Sequence, residues 1–258
     1  MQPVRRFYRT HRLRRTCTGR ARGERTVLDA AGRLLSTLVR LALMHEVTRR
    51  YALLDQPTWP CPRDPTESPQ SWEYSRVTDP ARYDVLLART RVWTEVLCTV
   101  AGARRADIPA PRAALREAAA DREVLLRLPA DAAPPIWFLE RLGRARDGLV
   151  AAVEIAVGEP RVSLGRLPMC GCDACDEGSD SLLEDVDELV LHATSPFVAL
   201  RGEDWSFDRG VMTQGSWGRG RPRSSSELVR LADSLLAGEQ VDVPDDAQVL
   251  VSQGWGRA

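Results

Sequence analysis

Residues 166–193 read RLPMCGCDACDEGSDSLLEDVDELVLHA. Three of the chain's six cysteines, Cys170, Cys172 and Cys175, fall within six residues here, among carboxylates and directly ahead of an amphipathic helix. The chain changes habit across this turn. Upstream, EVLLRLPA (123–130), PPIWFLERL (134–142), GLVAAVEIAV (148–157) and RVSLGRLP (161–168) are short apolar runs separated by Pro, Gly and Asp. Runs of that length bounded by breakers predict strands, and connections that short join antiparallel neighbours in one sheet. Downstream, a helix is predicted from Ser179, a favourable N-cap, to His192. Asp180, Glu184 and Asp185 suit the positive end of its dipole.

Working outward, apolar residues at Leu28, Ala31, Leu35, Leu38 and Ala42 predict a helix over 28–51. DQPTWPCPRDPTESPQ (55–70) holds five prolines and predicts an extended surface linker. A second helix is predicted after Asp79 as cap and Pro80 as first residue, ending near Gly102. Tyr83, Leu86, Leu87, Thr90, Trp93, Leu97 and Val100 form its stripe, which makes Trp93 a core residue rather than a ligand platform. PFVALRGEDWSF offers a further strand pair, RGVMTQGSWGRGRPR a mobile Gly- and Arg-rich loop, and SSSELVRLADSLLAG a last helix capped by serine and ended by Gly238. The predicted class is α+β: N-terminal helices, a central, mainly antiparallel sheet, and helices after the cysteine turn and at the C-terminus.

The chain has no lysine and no asparagine, and its 36 basic residues balance 36 acidic ones. That balance gives no electrostatic reason to expect a nucleic-acid partner. It hides an asymmetry, since residues 1–25 hold nine arginines and one acid. Residues 1–40 are expected to be a basic extension, disordered or upstream of the true start, and 41–258 a single α+β domain with its Pro-rich linker at 55–70. The apolar run LLSTLVRLALM is broken by Arg40 and lies too far in for a secretory signal, and no stretch reaches the length of a membrane span. A cytoplasmic protein with no membrane partner is expected, its cysteines thiols or metal ligands rather than disulfides.

SWEYSRVTDPARYDVLLARTRVW, CGCDACDEGSDSLLEDVDELVL and the segment around RGEDW together resemble an actinobacterial family known as a domain of unknown function. The likeness runs from about Leu41 to the C-terminal helix, and CGCDACD is its most specific element. The resemblance implies no activity, ligand or fold, so it transfers no catalytic residue.

The chemistry therefore rests on the turn itself. Cys170, Cys172 and Cys175 form C-x-C-x2-C, and the C-x2-C half has the spacing with which two thiolates grip one ion. A structural zinc needs a fourth ligand, for which Asp176, His192 and Cys61 are the candidates. A thiol redox protein or small enzyme using Cys172 and Cys175 at the helix N-terminus is the alternative, although the flanking carboxylates disfavour a thiolate. Plain packing of small residues is the third reading. His192, in the last turn of its helix, is expected to complement the dipole as a cation. A polyanion could bind the basic arm or Trp217 with its neighbouring arginines in SWGRGRPRS. With no phosphate loop, nucleophile elbow or complete catalytic set, the sequence favours a non-enzymatic binding or interaction module, acting through a protein partner, with a possible zinc at the turn.

Overall fold

A computed structural model of the chain describes residues 26–64, 67–108, 120–128, 133–145, 148–218 and 223–255. Helices α1 (Thr26–Tyr51) and α2 (Asp84–Val100) come first. They are followed by β1 (Arg104–Ile108), β2 (Arg122–Arg127), β3 (Ile136–Ala145), β4 (Gly148–Val157) and β5 (Val162–Leu167). Then come α3 (Ser179–Thr194), β6 (Pro196–Arg201), β7 (Trp205–Arg209), β8 (Thr213–Trp217), α4 (Ser225–Leu236) and β9 (Gln248–Gln253). The first five strands form an antiparallel meander in chain order, and the last four a second antiparallel sheet ordered β8-β7-β6-β9. The protein is α+β, with a second sheet added to the central one.

Alternation along the strands sets the layers. Val124, Leu126, Ile136, Phe138, Val153, Ile155 and Val157 turn one face of the first sheet to α2 and α3. β6 is buried on both faces: Phe197 and Ala199 join that core, while Val198 and Leu200 pack with Phe207, Trp205 and α4 in a second one. A strand covered on both sides reads as a continuous apolar run, which is why PFVAL shows no alternation. The sheets are tied by Arg201, which pairs with Asp208 at 2.7 Å and donates to the Ser163 carbonyl at 2.6 Å, and by Gln214, which donates to the Leu164 carbonyl at 3.0 Å.

Several expectations are corrected. In α1, among the residues whose side chains are described, Leu43 and Val47 are buried in the core, whereas Leu38 is 60 % exposed; the predicted Leu28, Ala31 and Leu35 lie outside the described side chains. This helix is apolar on more than one side, and the tertiary partner chooses the face. Asp79 makes no side-chain cap; Pro80 opens a single turn of 3-10 helix, Pro80–Tyr83, and α2 follows it. In α2 Trp93 is fully buried as predicted, but Val100 is exposed. The stretch expected to be a mobile loop contributes β8, paired along its length with β7. Its residues 219–222, like the arm at 1–25, lie outside the described residues. The last helix is capped by Ser224, whose hydroxyl accepts the Glu227 amide at 3.3 Å while the Glu227 carboxylate accepts the Ser224 amide at 2.6 Å, a reciprocal capping box.

Inside the helical layer, α2 and α3 meet through one buried ion pair. Arg89 donates twice to Asp187, at 2.9 and 2.5 Å, and the Trp93 indole adds a third bond to the same carboxylate at 2.6 Å. Removing one partner of such a pair strands the other charge in a low-dielectric interior. Asp187→Ala is expected to lower the unfolding free energy by about 3–5 kcal/mol, measured as a shift of the urea midpoint. A shift below a tenth of the wild-type stability would show the pair to be solvated.

Candidate metal centre

The cysteine turn leaves β5, makes one turn of 3-10 helix at Asp173–Cys175, and enters α3 at Gly178. The structure gathers the sulfurs of Cys170, Cys172 and Cys175 within 4.8 Å of one another, with 3.0 Å between the first two. Cys172 is buried at the base, and Cys170 and Cys175 are exposed. All three are free thiols. Three sulfurs so close form a donor set that could hold a metal ion.

What shapes the turn is the segment expected to be a linker. Trp59–Arg63 lies along it as a strap. The Ser179 hydroxyl donates to the Trp59 carbonyl and accepts the Trp59 amide, both at 3.2 Å, and the Trp59 indole donates to Asp176 at 3.0 Å. Arg63 donates to the carbonyls of Asp173 at 2.9 Å and Ala174 at 2.5 Å. From the next segment the Thr78 amide and hydroxyl hold the Asp173 carboxylate at 2.9 and 2.6 Å. Arg82 lies over the rings of Trp59 and Tyr83, 5.5 and 5.2 Å from their centroids, and pairs with Asp176 at 3.0 Å. Ser179 is therefore the first residue of α3 rather than its cap, its hydroxyl being spent on the strap; Gly178 occupies the cap.

Asp176 anchors the strap and Asp173 the segment that follows it, and the arginines they face, Arg76 and Arg82, offset their charge. Asp176, the nearest candidate fourth ligand, gives Oδ1 to the Trp59 indole and the Gly178 amide and faces Arg82 with Oδ2. Cys61 travels with the strap to the turn, where its thiol meets the carbonyl of Arg63 at 3.3 Å and that of Asp176 at 4.0 Å, outside the three-sulfur group. Burial, reinforced by hydrogen bonds with Cys170 and Cys175, pushes the Cys172 thiol up to about 12, and burial also raises Cys175, opposed chiefly by its hydrogen bond with Cys172. In the metal-free turn Cys172 is a neutral thiol, a poor starting point for nucleophilic attack.

His192 is placed elsewhere. It is fully buried against Phe197, ring centroids 4.9 Å apart, and its Nδ1 accepts the Met212 amide at 3.4 Å. Burial drives its pKa down to about 4, with Asp208 opposing that shift and Arg201 and Arg40 adding to it. The expected cation is a neutral ring, because the desolvation cost exceeds any gain from the helix end. The sequence reading missed Trp59, Arg63 and Arg82, which shape the turn. For Trp59 and Arg63 the one sequence signal is an aromatic residue one proline away from a cysteine in a proline-rich run, WPCPR at 59–63; Arg82 carries no such signal.

The fold and this turn define an α+β protein built around a strapped, thiol-rich strand-to-helix junction. The model of the family of unknown function DUF6226 matches residues 47–257, and the chain belongs to that family. No curated protein and no solved structure matches the chain. No helix among the described residues is long and apolar enough to cross a membrane.

Two outcomes test this geometry. Gly178 has φ +90°, and a Cβ there would stand 2.7 Å from the Cys61 amide nitrogen and 2.9 Å from the Pro60 carbonyl carbon. Gly178→Ala is expected to cost about 1–3 kcal/mol by denaturant unfolding and to free the strap, read as faster amide exchange across 59–63. For His192, the unfolded chain binds the proton from pH 6.5 downward and the folded chain only near 4. Stability should thus fall as pH drops through that window by about 3 kcal/mol, with no further loss from this group below it. A His192→Leu variant, measured from pH 7 to 4, should lose that component of the slope.

Proposed function

We propose that this chain is a non-enzymatic binding module whose cysteine turn holds a zinc ion through Cys170, Cys172 and Cys175. The observation that carries the reading is the convergence of three sulfurs within 4.8 Å on a backbone fixed from outside by the strap. Zinc suits an all-sulfur set with no demand for a particular ligand-field geometry. Binding requires the three thiols to give up their protons, which the ion's own charge drives despite the raised value at Cys172. The non-enzymatic reading is supported by where the charged groups have gone. Arg89, Asp187, Arg201 and Asp208 are paired in the interior, and His192 is buried and neutral. The ion's role is to lock the turn, and through it the strap, into one surface for a protein partner.

The test is metal per chain by elemental mass spectrometry on protein purified without chelator. About one zinc per chain is expected, lost in Cys172→Ser. At free zinc one hundredfold above the dissociation constant, binding stabilises by about 2.7 kcal/mol. Chelation should then lower Tm by about 5–10 °C without unfolding the chain. Folded protein with neither zinc nor a Tm response to added zinc would overturn the reading.

A further inference from the structure

Three sulfurs are one ligand short of a tetrahedron, and the nearby donors are engaged elsewhere. Asp173 is held by Thr78, Asp176 gives Oδ1 to Trp59 and Gly178 and its buried Oδ2 is ion-paired with Arg82, and Glu177 accepts the Ser181 hydroxyl at 3.3 Å. The Cys61 thiol is turned to backbone carbonyls. Cys172 forms a buried floor, and Cys170 and Cys175 are exposed beside it, so the unfilled corner faces solvent. The strap runs beside the turn, its Arg63 donating to the carbonyls of Asp173 and Ala174 and pairing with Glu73 at 3.2 Å.

Building on the metal reading above, we propose that the ion keeps one exchangeable coordination place at the surface, and that a small-molecule thiol is its natural occupant. A site with three protein ligands and an open fourth place is the arrangement of exchangeable rather than closed metal centres. A soft all-sulfur set selects a further soft donor. The exposure of Cys170 and Cys175 leaves that place open to a sulfur on a slim aliphatic stem. In the exchange the incoming thiol gives its proton to solvent, its sulfur forms a bond to the ion, and a bound water leaves. No electrons are transferred.

The experiment uses the full chain loaded with Co(II), whose sulfur-to-metal absorption grows with the number of thiolates bound. Titration with 2-mercaptoethanol is expected to raise that absorption per cobalt by about a third, from three thiolates to four, with cobalt retained on gel filtration. Cys61→Ser should behave as wild type. Absorption indifferent to added thiol, or cobalt stripped by the thiol with no intermediate rise, would overturn the open place while leaving the metal site standing. Absorption that falls in Cys61→Ser would overturn it as well, by making Cys61 the fourth ligand. Failure of the chain to bind cobalt or zinc at all would instead bring down the metal reading on which the inference rests.

Discussion

The contact on which the arrangement depends is the Arg89–Asp187 pair, with the Trp93 indole on the same carboxylate. Neither charge can be left alone where it sits, 5 and 7 % exposed. A buried pair adds little net stability compared with apolar side chains of the same size, because desolvation cancels much of the attraction. Its consequence here is register. Apolar contacts between α2 and α3 would tolerate sliding by a turn, whereas a bidentate guanidinium–carboxylate bond is made at one setting only. Fixing α3 fixes Gly178 and Ser179 at its start, and with them the cysteine turn.

From that point the order runs outward. The turn presents Asp173, Asp176 and two carbonyls to the strap, and the strap answers with Arg63, Trp59 and, farther along, Thr78 and Arg82. These contacts join residues about a hundred positions apart in sequence, so their closure entropy is met only once both layers are in place. Arg82 between two aromatic rings and two carboxylates is the centre of this seam. A lysine could not make the same set of contacts, since it lacks the planar fork that stacks and pairs at once.

The α+β class, the meander and the helix after the turn were legible in the sequence because they follow from periodicity and from the breakers between runs. β3 extends past the predicted end at Leu142 to Ala145 because its partner β4 carries the hairpin three residues further. β1 and β9 were not legible, since RRADI is exposed along most of its length and QVLVSQ lies late in a polar tail. The three thiols of the site were visible as a spacing. The use of their flanking acids was not, because the acids' partners come from the proline-rich segment and the stretch after it, Trp59, Thr78 and Arg82, whose docking no local pattern encodes. The same limit explains His192: a helix position was readable, but its burial under Phe197 and beside Met212 depends on the second sheet.

That the turn is shaped by protein contacts bears on what an ion there can do. In the smallest zinc domains the metal is the core, and the apo chain is unfolded. Here the backbone of the turn is already held by Arg63, Ser179 and Thr78, and the hydrophobic core beneath it spans both sheets and three helices. A preformed site would lose less entropy on binding an ion than a flexible loop of the same ligands. The anchors also explain why acids crowd the sequence around a thiol cluster. Asp176 holds the strap through Trp59 and Asp173 holds the following segment through Thr78, and the sulfurs of Cys170 and Cys175 are left exposed beside them.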